Sequence, residues 1–146
     1  MKRAMGAAWL VAALTILAAQ GALARRGGDL VVDRAWSRAT PVGAPTAVGY
    51  LVISNHGRLP DQLLSADSPD AVSVTVHQMS MAGGIMRMRP VVGGLTIPAG
   101  GSVSLDPNGD HLMFEGLKRT FKAGKAEPVV LHFQHAGSVR VALVVR

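Results

Sequence analysis

Five of the seven methionines lie in one stretch of the chain, between positions 77 and 113, together with two of the five histidines. This stretch contains His77, Met79, Met81, Met86, Met88, His111 and Met113, whereas the whole sequence contains no cysteine. A protein core normally scatters its methionines, because the flexible thioether serves as a gap filler. Thioether sulfur and imidazole nitrogen are neutral ligands, and thioethers select Cu(I) among the common biological metals. The cluster therefore indicates a site for a soft metal ion.

The elements that must position these side chains are short predicted strands separated by turn residues. Turn signals such as Gly83-Gly84 and Pro107-Asn108-Gly109 interrupt the apolar segments. Such spacing is typical of an all-β, single-domain antiparallel sandwich or barrel. A short helix near Asp61 or over Phe114–Arg119 stays open as an alternative. Strands are predicted at Leu30–Arg38, Ala47–Ser54, Gln62–Ala66, Val72–Met79, Ile85–Val91, Ser102–Leu105, His111–Phe114, Pro128–Phe133 and Val139–Val145.

Strand alternation groups the candidate ligands by face, because residues two apart point to the same side of a strand. His77 then shares a face with Met79, Met86 with Met88, and His111 with Met113. The Gly83-Gly84 turn would fold the Met88 strand back toward His77. The turn before His111 would place that residue at the rim of the sheet, where ligands can be exposed without opening the core.

The spacing of these residues resembles the motif of the periplasmic copper(I) chaperones named PCu(A)C. That motif has a histidine, ten residues, a methionine, twenty-one residues and then His-x-Met. Here His77 and Met88 are separated by ten residues, and His111-Leu112-Met113 follows. The resemblance extends over nearly the whole chain after the first residues. It is carried by Ala35-Trp36-Ser37-Arg38-Ala39-Thr40-Pro41, Gly49-Tyr50-Leu51, Met86-Arg87-Met88-Arg89-Pro90, Ile97-Pro98-Ala99-Gly100-Gly101 and residues 111–117.

The resemblance implies a cupredoxin-like fold and a function. It implies that one Cu(I) is bound by His77, Met88, His111 and Met113. It also implies delivery of this copper to the copper-bearing subunit of cytochrome c oxidase, either directly or with a thiol-containing assembly factor. The other methionines are expected to pack against neighbouring side chains. Alternatively, Met79 and Met86 act as auxiliary ligands.

One departure from the motif concerns the segment between Met88 and His111, which has twenty-two residues, one more than the motif. The stretch Val91-Val92-Gly93-Gly94 can absorb the extra residue as a longer turn or a bulge. A shift of strand register would instead turn Met88 away from the histidines. We expect the loop to absorb it.

The first residues have the three parts of a secretory signal: a basic start, an uncharged apolar run and the small residues Ala22-Leu23-Ala24. We expect cleavage near Ala24, which makes 1–24 the signal peptide and 25–146 a copper-binding domain in the periplasm. An uncleaved membrane anchor is the alternative, since 4–24 is just long enough to span a bilayer. With no cysteine to carry a lipid, we expect no stable membrane anchor, and we expect a monomer.

Other function classes find little support in the sequence. The net charge of +6 is dispersed and does not resemble a nucleic-acid footprint. No nucleophile elbow, zinc-protease motif or phosphate loop is present, and a blue-copper carrier would need a cysteine, so we expect no enzyme. Copper buffering or resistance is the main alternative to a chaperone. A structural sandwich with incidental histidines and a copper redox enzyme are further alternatives.

Overall fold

The computed structural model describes residues 24–91 and 93–146, so the predicted signal peptide lies outside the described residues apart from Ala24. The described chain folds into β-strands and contains no helix. The strands are β1 (Arg25–Gly27), β2 (Leu30–Ser37), β3 (Thr46–Asn55), β4 (Asp61–Asp67), β5 (Ala71–Ala82), β6 (Ile85–Pro90), β7 (Leu95–Ile97), β8 (Ser102–Leu105), β9 (His111–Leu117), β10 (Ala126–Phe133) and β11 (Gly137–Val145).

Seven of these strands close into a barrel in the order β2, β11, β10, β4, β5, β9 and β3, and pairing of β3 with β2 completes the ring. The pair formed by β11 and β2 is parallel, whereas the other pairs are antiparallel. The remaining strands β1, β6, β7 and β8 pair with β2, β5, β4 and β3 respectively. The predicted all-β, cupredoxin-like, single-domain barrel is confirmed.

The barrel interior is filled by one side of each strand. In β9, Leu112 and Phe114 are fully buried, and Phe114 packs edge-to-face on Phe121 with ring centroids 5.3 Å apart. Residues that alternate with these two, His111 and Met113, therefore point to the outer side of the barrel wall. This alternation separates the core from the candidate ligands on the same strand.

Both predicted helix positions are wrong. Asp61 begins β4, and the segment after Phe114 continues β9 as far as Leu117. Glu115 pairs with Thr46 of β3 on one edge and with Ser73 of β5 on the other. A strand whose backbone groups are bonded on both edges has no reason to coil into a helix.

The strand that carries His77 extends past the barrel. Up to His77, β5 pairs with β9, and from His77 to Ala82 it pairs with β6. Gly83 and Gly84, with φ of 60° and 78°, form the two-residue turn between β5 and β6. Positive φ at both turn positions is the type I′ geometry that matches the twist of a hairpin. The result is a projecting β5–β6 hairpin whose β6 strand is exposed along its whole length.

Candidate metal centre

His77 and His111 lie directly opposite each other across β5 and β9. Their ring centroids are 5.7 Å apart and their planes are inclined by 46°. The two residues are distant in sequence, and only the pairing of β5 with β9 brings the imidazoles together. Two imidazoles in this arrangement can share one metal ion if their nitrogen lone pairs are free.

The hydrogen bonding of His111 leaves one nitrogen available. Its Nδ1 donates to the backbone carbonyl of Gly109 at 3.3 Å. Since a carbonyl oxygen only accepts, this contact places the hydrogen of the neutral ring on Nδ1 and the lone pair on Nε2. The Nε2 atom is buried and has no hydrogen-bond partner among the described residues. A metal-bound histidine is commonly oriented in this way, through its second nitrogen.

Both ring nitrogens of His77 are also buried without a hydrogen-bond partner in the described part of the chain. The nearest acid is Glu115, whose Oε1 lies 3.8 Å from Nε2, too far for a hydrogen bond. The His77 side chain is 14% exposed and that of Glu115 is 48% exposed. An unpaired buried polar atom costs about 1–3 kcal/mol, so its persistence calls for an explanation such as a bound ion.

Thioether side chains surround the two imidazoles on the same outer face. Met88 of β6 lies opposite Met79 of β5, and His77 lies two residues before Met79. Met113 follows His111 on that face of β9. A cavity of about 380 Å³ is lined by Met79, Met86, Met88, His111 and Met113, with Tyr50 of β3 in its wall. The structure thus brings all four predicted ligands to one face, with Met88 diagonal to His77 and not directly opposite it.

The segment between Met88 and His111, which has one residue more than the motif, leaves β6 without turning Met88 away from the His77 side of the sheet. After β6 ends at Pro90, the Val91 amide still donates to the Val76 carbonyl at 2.9 Å. Gly93 and Gly94 then adopt φ of 83° and 101°, which places a turn before β7. The register puts Met88 on the side of the sheet that carries His77, as expected for a loop that absorbs the insertion.

The candidate ligands differ in exposure. His111 is only 5% exposed, whereas Met88 is 53% exposed, and Met79 and Met113 are half-buried. Arg87 and Arg89 alternate with the methionines of β6, so they project to the opposite side of the hairpin. The centre therefore has a buried imidazole side and an open thioether side.

Several neighbours of the site were not predicted from the sequence. The Gly109 carbonyl orients His111, and the Met79 amide donates to Oδ1 of Asp110 at 3.3 Å. The position of Glu115 beside His77 could have been predicted from the sequence, because Glu115 continues the alternation of His111 and Met113 along one face of the strand. The role of the Gly109 carbonyl could not have been predicted in this way, because every residue has a backbone carbonyl. Tyr50 is buried beside the site, and its ring centroid lies 4.6 Å from that of Trp36.

The other histidines lie outside this arrangement. His132 is bonded through Nδ1 to Ser138 Oγ at 2.8 Å and through Nε2 to Asp67 Oδ2 at 2.5 Å. His56 is an exposed residue of the loop after β3. Within residues 24–91 and 93–146, no group of three or more His, Asp or Glu side chains could hold a metal. No helix long and apolar enough to cross a membrane occurs in that part of the chain.

Comparison with known families and proteins gives two sequence matches. Residues 30–145 match the model of a family described as LpqE-like, a putative lipoprotein family. A protein described as a putative lipoprotein from Leifsonia xyli subsp. xyli is 30% identical over 122 residues, which cover 84% of this chain and 72% of that protein.

Solved structures with the same fold include apo-DR1885 from Deinococcus radiodurans, at 31% identity and a TM-score of 0.62, covering 100% of this chain and 96% of that one. The CuI-DR1885 structure matches at 33% identity and a TM-score of 0.58, over 77% of this chain and 74% of that one. The copper-bound PCuAC domain of PmoF2 matches at 24% identity and a TM-score of 0.71, over 85% of this chain and 97% of that one. This last likeness concerns the fold alone.

Proposed function

The chain belongs to the LpqE-like family of putative lipoproteins and has the fold of PCuAC domains, and from that premise we propose that it is a copper(I) chaperone. One Cu(I) is held by His77, Met88, His111 and Met113. The observation that carries the proposal is the facing pair His77 and His111. Three of their four ring nitrogens are buried without a hydrogen-bond partner among the described residues, and His111 lines a cavity together with thioether side chains. The Cu(I)-bound state of DR1885, a relative of similar sequence, supports the choice of metal.

The ligand chemistry explains why the ion would be Cu(I) and why it could be released. Two neutral imidazoles and two neutral thioethers form a soft set that suits Cu(I) and leaves its single positive charge in place. Thiolates would bind more tightly and would risk disulfide formation in an oxidising compartment. The 53% exposure of Met88 offers one ligand that an acceptor can displace. A carrier needs this combination of moderate affinity and access.

The proposal also includes the protein that receives the copper. An exported chaperone of this kind would work in the periplasm and pass copper toward the copper-bearing subunit of cytochrome c oxidase, directly or through a thiol-containing assembly factor. It would act as a carrier and not as an enzyme. Buffering of periplasmic copper without a dedicated recipient is the second candidate, and the accessible thioethers suit it equally well.

The binding site is tested by an anaerobic competition titration of residues 25–146 against a chromogenic Cu(I) chelator. Met88→Leu and His111→Gln should each weaken Cu(I) binding at least about tenfold, roughly 1.4 kcal/mol, because each removes one donor atom. His56→Gln is the matched control, since it removes an exposed histidine far from the site, and it should bind as the wild type does. Equal affinities in all four proteins would refute the ligand assignment.

Transfer kinetics distinguish a chaperone from a buffer. A chaperone should load an apo copper-bearing oxidase domain faster than Cu(I) dissociates into a chelator solution, because the acceptor attacks the bound ion. For a buffer, the rate of transfer to the oxidase domain and the rate of Cu(I) dissociation into the chelator solution should be equal. Stopped-flow mixing of the Cu(I)-loaded chain with each acceptor measures both rates.

A further inference from the structure

The β5–β6 hairpin carries two directly opposed methionine pairs. Met79 faces Met88, which we call the inner pair, and Met81 faces Met86, which we call the tip pair. Positions 77, 79 and 81 alternate along one strand, so both pairs lie on the face that carries His77. The tip pair is thus the outward continuation of the candidate metal centre.

The tip pair has no packing role that would explain two methionines. Met81 is 69% exposed and Met86 is 56% exposed, and one residue pair, Ala82 and Ile85, separates them from the turn. Neither residue belongs to the hydrophobic core. Exposed methionines gain little from burial, so core packing does not account for them.

Geometry links the tip pair to the cavity. Met86 lines the same cavity as Met88 and His111, and successive same-face positions on a strand are about 7 Å apart. Directly opposed residues have Cβ atoms about 5 Å apart, within which two flexible thioether chains can reach one ion. The side chains therefore form an unbroken series of soft donors from the hairpin end to the imidazoles.

We propose that Met81 and Met86 form a second, weaker Cu(I) site through which the ion enters and leaves the centre at His77 and His111. This inference rests on the proposed function. The ion passes from the tip pair to the inner pair and then to the imidazoles by exchange of neutral ligands. It stays Cu(I) throughout, so no electron or proton moves. Two thioethers bind it less tightly than the four-ligand centre, which sets the direction of loading.

The test follows two equivalents of Cu(I) added anaerobically to residues 25–146, with methyl resonances of the methionines recorded by two-dimensional NMR. The first equivalent should shift the Met88 and Met113 methyls, and the second should shift those of Met81 and Met86. In Met81→Leu the second equivalent should bind at least tenfold more weakly, the first should be unchanged, and the rate of Cu(I) transfer to a chelator should fall at least threefold. Met86→Leu should also lose the second equivalent.

Ile85→Leu is the matched control, because it changes an exposed apolar residue of the same hairpin end without removing a sulfur. It should behave as the wild type does in both equivalents and in the transfer rate. A second equivalent and a transfer rate that Met81→Leu leaves unchanged would overturn the inference and leave the first site intact. Loss of the first equivalent in Met81→Leu would overturn it as well, because Met81 would then belong to the main centre. A wild type that binds no Cu(I) at all would refute both proposals.

Discussion

At the scale of single residues, the case for the candidate centre depends on imidazole nitrogens that have no hydrogen-bond partner among the described residues. His111 is oriented by the Gly109 carbonyl, and His77 has no hydrogen bond at either ring nitrogen among the described residues. An isolated histidine is more often a satisfied core residue or an exposed one. What distinguishes these two is that their rings face each other, that they have buried ring nitrogens without a partner among the described residues, and that they share a strand face with thioethers.

A second residue with an unusual environment is Glu127 of β10, which is only 5% exposed. Burial is the largest cause that raises the pKa of its carboxyl to about 7. The hydrogen bond that protonated Glu127 donates to the Asp70 carboxylate and the negative charge of Asp70 add to the shift, whereas the charge of Arg119 opposes it. Arg119 forms a 3.2 Å ion pair with Asp70. The folded protein therefore holds a proton on Glu127 that the unfolded chain gives up at lower pH.

This proton makes stability depend on pH. Because the folded-state pKa is raised from 4.5 to about 7, the folded state binds more protons than the unfolded state between those values, and the free energy of unfolding should fall as pH rises through that window. At about 1.4 kcal/mol per pKa unit, the stability lost through Glu127 is at most about 3.5 kcal/mol. Glu127→Gln should remove most of this decline. Urea unfolding at pH 5 and pH 8 measures it, and an equal decline in both proteins would contradict the assignment.

At the scale of elements, the β5–β6 hairpin determines where Met88 lies. Its register is set by the Gly83-Gly84 turn and by the ladder from His77–Pro90 to Ala82–Ile85. Among the described strands, β6 pairs with β5 alone, and it is exposed throughout. The hairpin therefore has little core packing to hold it. The turn geometry therefore contributes strongly to the position of Met88, the exposed candidate ligand.

Replacing both turn glycines tests that contribution. Space around Gly83 and Gly84 is open, so the cost of Gly83→Ala/Gly84→Ala comes only from placing side chains at positive φ, about 1 kcal/mol or more for each. Cu(I) affinity should fall a few-fold and amide hydrogen exchange in β6 should accelerate. Gly83→Asn is the control, because asparagine followed by glycine suits the same turn type. A double variant with wild-type affinity and exchange would show that the turn does not position Met88.

At the scale of the whole molecule, one wall of the barrel serves two purposes. Its inner side packs Leu112 and Phe114, and its outer side presents His111 and Met113. Gly49 of β3 lies opposite Leu112, where a Cβ would be 3.0 Å from both Leu143 Cδ1 and Phe114 Cε2. Glycine at this point allows three strands to pack closely behind the candidate metal centre.

Filling this space should destabilise the fold. Gly49→Val should lower the free energy of unfolding by about 1–3 kcal/mol, because overpacking a tight core forces neighbours from their preferred positions. Chemical denaturation measures the change. Gly109→Ala is the control, since its Cβ would have 3.6 Å to the nearest atom, Asp106 Oδ1. Equal stability of the two variants would contradict the close packing at Gly49.

The strand pattern and the turn chemistry are local properties, and the sequence predicted them well. Period-two alternation separated His111 and Met113 from the core residues beside them, and paired glycines marked the turn after β5. The three-residue strands β1 and β7 carried too little pattern to be predicted. The helix alternatives failed because short apolar segments have no unique period, and the pairing partners of β9 decided its conformation.

The sequence by itself determined which donor atoms are present, that they are soft and neutral, and which of them share a face on each strand. Only the tertiary structure decided that His77 lies opposite His111, and that three of the four ring nitrogens of this pair are buried without a partner among the described residues. It also decided the parallel closure of the barrel by β11 and β2. The physical reason is range: alternation and turn geometry depend on adjacent residues, whereas pairing of distant strands and burial depend on how the whole barrel packs.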